Sequence, residues 1–277
     1  MLNTLRSYLS DRGIELVGAV PLSKCNIVRP YKLGELAETD ISRLSAIIFA
    51  IPYFSRQDRR NISAYATSRD YHLFAKQLFS ELIPYLKEHF APHEFIGFAD
   101  NSPISEVPAA AMAGLGVIGD NMMLITEKYS SYVFLGEIIT DHPIEHSGTF
   151  EILECEHCGR CRKACPMENI GTCLSALTQK KGELEPKEAE HIAYYGSAWG
   201  CDICQEACPH TKKAMMQGSI YSKIDFFNHH NTPYLTSSDV MSMTDEQFAE
   251  RAYSWRGRNT IIRNLKLLEK KQKGGDN

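Results

Sequence analysis

Eight of the nine cysteines of this chain fall between Cys155 and Cys208, and only Cys25 precedes them. No other feature constrains the fold as much. The N-terminal run "MLNTLRSYLSDRGIELVG" reads as an amphipathic helix, with Leu2, Leu5 and Leu9 at helical spacing. It has neither the continuous apolar stretch and small-residue cleavage site of a secretory signal nor a twin-arginine pair. No apolar run reaches the roughly 18 to 20 residues of a membrane span. A soluble, cytoplasmic protein with no membrane association is therefore expected. Such chains rarely keep disulfides, so clustered cysteines point to metal or redox chemistry.

The densest stretch is "CEHCGRCRKACP", Cys155 to Pro166, with the spacing C-x2-C-x2-C-x3-C-P. This is the run found in bacterial ferredoxins, whose fourth cysteine ligates the other cluster when two are present. A second group, "CDICQEACP", supplies Cys201, Cys204 and Cys208, and Cys173 lies between the groups. The reading is two 4Fe–4S clusters. Cys155, Cys158 and Cys161 join Cys208 on the first, and Cys165 joins Cys173, Cys201 and Cys204 on the second. The alternative is structural zinc, which usually takes two well-separated CxxC pairs. Cys25 stands apart and reads as a buried apolar thiol.

At 277 residues the chain is long enough for one large domain or two moderate ones. Its net charge of −4 does not advertise a nucleic-acid partner, although a local basic face is compatible with it. The expected class is α+β, a mixed sheet with flanking helices. "IELVGAV", "SAIIFAIPYF" and "HEFIGFA" read as strands, and "NMMLITEKYSSYVFLGEIIT" as two strands joined by a polar turn. "RDYHLFAKQLFSELIPYLKEHF" reads as a long helix that Pro84 kinks or divides. The character changes near Ser147, giving a first domain over 1–147. A cysteine-rich domain follows over 148–215, too poor in apolar runs to fill a core alone and so organised by bound clusters. A helical extension over 216–277 reads as two helices and a basic, frayed tail.

Three stretches of the first domain look like a site. In "SRDYHLF", Arg69, Asp70, Tyr71 and His72 crowd charge and aromatic character at a helix start; the plain alternative is an Asp cap beside a solvated Arg. "FADNSPISE" places Asp100 just after a strand and Glu106 at the next helix start, where open sheets carry ligand chemistry; the alternative is a turn-forming Asp. "AAAMAGLGVIGDN" carries Gly114, Gly116 and Gly119, which would let backbone approach a large flat ligand. The G-x-G-x-x-G spacing is not a dinucleotide site, because it follows a helix and precedes a strand.

The run from "SRDYH" through "ADNSPISE" and "AGLGVIGDN" to "YVFLGEIIT" resembles the catalytic domain of epoxyqueuosine reductases. So do "CLSALT", "WGCDICQEACPH" and "AYSWRGRNTIIRN", so that the resemblance covers most of the chain. It implies a nitroreductase-like cobalamin-binding domain beside a ferredoxin-like domain with two 4Fe–4S clusters. It also implies reduction of epoxyqueuosine to queuosine in the tRNA anticodon loop, with an external low-potential donor such as ferredoxin or flavodoxin. By resemblance Asp100 is the acid that protonates the epoxide oxygen, with a pKa raised by burial, and Glu106 positions Asp100 or the substrate. Arg69, Tyr71, His72, Asp100, the three glycines and Ser175 would lie against the corrin.

The chain departs from the family pattern where Val107 replaces an arginine and where Val117 and Asp120 replace a tryptophan and a lysine. The family's C-terminal helical-repeat domain is also missing, which reads as a short form. Two further readings stay open. One is a corrinoid iron–sulfur reductase of a small molecule, and the other is a non-catalytic electron carrier or corrinoid-reducing partner.

Overall fold

The computed structural model of the protein describes residues 1–57, 59–146, 150–167 and 172–274. Ser147 and Gly148, where the domain boundary was expected, lie outside them. In chain order the elements begin with α1 (Leu2–Ser10), β1 (Leu16–Pro21), β2 (Ser45–Pro52), α2 (Tyr71–His89), β3 (Phe95–Phe98) and α3 (Glu106–Met112). Then come β4 (Val117–Ile118), β5 (Leu124–Ile125), β6 (Val133–Thr140), α4 (Arg160–Ala164), α5 (Leu174–Thr178) and α6 (Pro186–Tyr195). The last are α7 (Ile203–Glu206), α8 (Pro209–Gln217), α9 (Asp225–Asn228), α10 (Ser237–Ser242), α11 (Asp245–Ala249) and α12 (Arg258–Gly274). Packing divides the chain into two interleaved units. One comprises Met1–Tyr53, His72–Cys158 and Pro209–Ile224, and the other Phe54–Tyr71, Gly159–Cys208 and Asp225–Asn277.

The first unit is built on a four-stranded sheet of order β1-β2-β6-β3. Every pairing in it is antiparallel, which corrects the expected mixed sheet. The crossover through α2 does return the chain in the same direction, so β2 and β3 run alike. They are not neighbours, however: β6 is inserted between them and runs against both. β2 is buried along its whole length, as a central strand covered on both faces must be. On one face Ala46, Ile48 and Ala50 of β2 and Ile139 of β6 share a core with Ala109, Ala110 and Ala111 of α3. On the other, Phe49 meets Phe79 of α2 with ring centroids 6.1 Å apart. Gly97 lets that ring in, since a Cβ there would stand 2.3 Å from the Phe79 Cδ1. α2 is continuous through Pro84 and not divided there. β5 and β6 flank the expected polar turn but do not pair with each other; β5 pairs with β4 in a second, two-stranded sheet.

The second unit has a hydrophobic core of its own. Leu174, Leu177, Ile192 and Trp199 from the cysteine-rich stretch pack with Ile62, Leu235, Phe248, Tyr253, Ile261 and Leu265. The expectation that bound clusters alone must organise the cysteine-rich stretch is thus corrected. Its apolar partners come from distant parts of the sequence, which is why its own composition looks insufficient. Buried Asn264 of α12 donates to the carbonyls of Thr178 at 2.7 Å and Ala198 at 2.9 Å. Asn61 exchanges two hydrogen bonds with Leu235. Buried polar groups satisfied in this way fix register as well as stability. Among the described residues no helix is long and apolar enough to cross a membrane.

Candidate active site

Asp100 follows β3 in a tight turn in which it and Asn101 both hold left-handed backbone, φ 60° and 50°. Short polar side chains tolerate that conformation best, and runs of it mark local strain. The Asp100 side chain is 62% exposed, with His72 Nε2 3.8 Å from its Oδ2. His72 and the Asn101 backbone N–H hold the Asp100 carboxyl below its usual range, against partial burial. The expected rise is therefore absent in the protein alone. It occurs instead on the neighbouring carboxyls. Burial and then the charge of Asp100 push Glu106 up to about 7, although Arg29 and the Asp100 backbone N–H pull the other way. Burial pushes Glu137 of β6 up to about 8, with the Glu106 charge adding to it and the Ser102 hydroxyl opposing.

Glu137 was not foreseen. It is fully buried on the sheet face that packs against α3, in register with Ile48 and Phe98. Its signal was in the sequence, as one acid inside the apolar run "VFLGEIIT". Cys25 is half-buried beside the same core, and burial pushes its thiol up to about 12.

Of the three glycines, Gly116 and Gly119 are accounted for by packing. A Cβ at Gly116 would stand 2.3 Å from the Ile125 carbonyl oxygen, and one at Gly119 would stand 2.7 Å from the Ile125 Cδ1. Gly114 is different: with φ +79°, a Cβ there would meet nothing within 4 Å. His72 and Asp100 are brought together in the first unit, which also contains Gly114. Val107 packs at the edge of the α3 core. Asp120 does not stand as an isolated negative charge, because His157 Nδ1 lies 2.8 Å from it. The other ring nitrogen of His157 lies 3.1 Å from Glu154. Asp120, Cys155 and His157 could hold an ion by distance, but carboxylates on both sides raise the His157 pKa and favour the imidazolium, which ligates nothing.

In the second unit Arg69 is not a solvated arginine. Its guanidinium lies 4.7 Å over the Phe226 ring and 3.9 Å from Glu250, and its Nε is buried. Tyr71 begins α2. Ser175, in the first turn of α5, accepts from Gln179 at 3.2 Å. All nine cysteines are among the described residues, and none is in a disulfide. Cys155 and Cys158 belong to the first unit; Cys161, Cys165, Cys173, Cys201, Cys204 and Cys208 belong to the second. Burial drives the Cys201 thiol up to about 12, with Cys204 and Cys173 near enough to add to the rise. Eight soft thiol donors fit iron–sulfur ligation.

The loop bearing Cys201 and Cys204 hangs on Asp202, which the sequence reading passed over inside "GCDICQ". Its carboxylate accepts from Ser63 Oγ at 2.5 Å, the Ala64 N–H at 2.7 Å, Gln205 at 3.1 Å and Arg60 at 3.1 Å. Arg60 is shared with Glu206.

No family model matches the chain. An epoxyqueuosine reductase of Gloeobacter violaceus is 31% identical over 219 residues, covering 74% of this chain and 68% of that protein. The chain belongs to the epoxyqueuosine reductase family. The epoxyqueuosine reductase of Listeria monocytogenes is 31% identical over 273 residues, 92% of this chain. The chain spans 65% of that relative's length and 60% of that of the Lactococcus garvieae enzyme. Epoxyqueuosine reductase from Streptococcus thermophilus superposes with a TM-score of 0.74 at 23% identity, covering 98% of this chain and 81% of that one. An epoxyqueuosine reductase solved with an epoxyqueuosine-modified tRNA stem loop gives 0.76 at 24% identity, covering 96% and 80%. These likenesses establish an epoxyqueuosine reductase fold.

Proposed function

We propose that this chain is a cobalamin-dependent iron–sulfur reductase that converts epoxyqueuosine to queuosine in the anticodon loop of tRNA, in the cytoplasm. The observation that carries the proposal is the order of eight cysteines, in a family whose structural relative was solved with an epoxyqueuosine-modified tRNA stem loop. The finer organisation proposed is a nitroreductase-like cobalamin domain over 1–147, a ferredoxin-like domain over 148–215 and a helical extension over 216–277. Cys155, Cys158, Cys161 and Cys208 would hold one 4Fe–4S cluster, and Cys165, Cys173, Cys201 and Cys204 the other. His72, Asp100, Gly114, Gly116 and Gly119, with Arg69, Tyr71 and Ser175, would hold the corrin.

When bound, cobalamin would supply a nucleophilic metal centre and the clusters a route for electrons from a ferredoxin or flavodoxin. The chain's own residues handle the proton. Asp100 faces outward and would deliver it to the epoxide oxygen; its low pKa in the protein alone must rise when ligands displace water and His72. Glu106, close enough for the Asp100 charge to raise its pKa, would position Asp100 or the substrate. Val107, in place of the family's arginine, favours one second reading, a corrinoid reductase of a small molecule, because a polyanionic tRNA gains from positive charge. Anaerobic reconstitution with iron, sulfide and cobalamin tests the proposal through iron content and visible spectrum. Full iron with no retained cobalamin would leave only an electron carrier.

A further inference from the structure

The proposed reduction consumes two protons, and Asp100 holds only one. Breaking both C–O bonds of the epoxide and forming the alkene takes two electrons, here from a low-potential one-electron donor through the clusters. The oxygen leaves as water, so two protons must reach it. Behind Asp100 the first unit holds two carboxyls that the mechanism above leaves without a proton role. We propose that Glu106 and Glu137 form a buried carboxyl pair that stores the second proton and passes it to the site at Asp100. This rests on the function proposed above.

The geometry supports storage. Glu137 has no exposed surface, and one carboxyl oxygen takes its hydrogen bond from the Ser102 hydroxyl, in the same turn that carries Asp100. Its other oxygen, Oε1, is buried and has no hydrogen-bond partner among the described residues, and the same holds for Oε1 of Glu106. A bare carboxylate with an unmet buried oxygen is costly, whereas a protonated carboxyl is not. Glu106 lies near enough to Asp100 that the Asp100 charge raises its pKa and the Asp100 backbone N–H lowers it. The groups facing the pair are few. Glu137 meets Ser102 from the turn, the Glu106 charge from α3 and Cys25 from the segment after β1. Glu106 meets Asp100 and Arg29, and Arg29 also donates to the Ser102 carbonyl at 3.0 Å. Among the described residues Arg29 is the cation that acts on Glu106, and both His72 and Arg29 act on Asp100. The midpoints of about 7 and about 8 agree with a pair that keeps one proton through neutral pH.

Carbon-13 NMR of glutamate-labelled protein, without cofactors or substrate, tests the store. Two carboxyl carbons should titrate near 7 and near 8, far above the usual value of about 4.3. Glu137→Gln should remove the upper midpoint, and Glu106→Gln should lower the Glu137 midpoint, because it removes a like charge. Two midpoints in the ordinary glutamate range would overturn the proposal. Delivery is tested by the pH profile of the loaded enzyme. The wild-type pair keeps a proton up to about 8, and Glu137→Gln only up to about 7, so the alkaline fall in kcat should move down by about one unit with KM unchanged. A purely structural Glu137 would lower kcat without moving that limb, and an unmoved limb overturns delivery. A wild type that carries both cofactors but reduces nothing overturns the functional reading, whereas low midpoints overturn the store whatever the turnover.

Discussion

Replacing Asp202 with alanine tests how the second unit holds its cysteine loop. The carboxylate collects four hydrogen bonds, two of them from the buried Ser63 and Ala64, and one half of an ion pair with Arg60. The alanine leaves the Ala64 N–H and Ser63 hydroxyl without a partner, at about 1–3 kcal/mol each, while Arg60 keeps Glu206. Together the two losses come to about 2–6 kcal/mol. Both tryptophans lie in this unit: Trp199 is fully buried, and Trp255 is 58% exposed. A Trp255→Phe background therefore makes Trp199 fluorescence a report on this unit alone. With m of about 2 kcal/mol/M, the urea midpoint should fall by about 1–3 M. Iron bound after reconstitution should fall by about half, because Cys201 and Cys204 lose their anchor. A midpoint shift under about 0.5 M would refute the reasoning, since it would mean that the donors find water or other partners at little cost.

Cys165→Ala should damage the cluster held by Cys201 and Cys204 and spare the one held by Cys155; the reverse pattern in electron paramagnetic resonance would show that the crossed ligation is wrong. Asp100→Asn cannot deliver a proton and should slow reduction by about 10²- to 10⁴-fold, with cobalamin retention unchanged. Equal rates would remove Asp100 from the mechanism. The raised carboxyls also fix a stability trend. Folded Glu106 and Glu137 keep their protons above the unfolded value near 4.5, so the folded first unit binds more protons and loses stability as pH rises from about 5 towards 8. Glu137→Gln should flatten that slope by about 1.4 kcal/mol per pH unit, read as hydrogen-exchange protection of β2 and β6 amides.

Much of the fold was legible because its signals are local. Val20, Ile48, Phe49 and Ile139 sit in runs whose apolar content marks a buried strand. Strand direction was not legible, since it depends on β6 entering between β2 and β3 from far along the chain. The second unit's core was missed for a similar reason. Trp199 and Leu177 find Ile62 and Ile261, which no window around the cysteines contains. Gly116 and Gly119 report a need for close approach, and only the fold shows that the Ile125 segment is one thing that approaches. Asp100 and Glu106 were found by position. Their pKa order was not, because it depends on exposure and on His72, which only the fold supplies.

The central claim is tested most directly by a single-turnover reaction under anaerobic conditions. The chain, loaded with iron, sulfide and cobalamin and reduced chemically, is given a tRNA stem loop carrying epoxyqueuosine, and the nucleoside is read by mass. The account predicts loss of one oxygen atom per loaded chain, yielding queuosine. Unchanged epoxyqueuosine, from protein carrying its full iron and cobalamin, would contradict it.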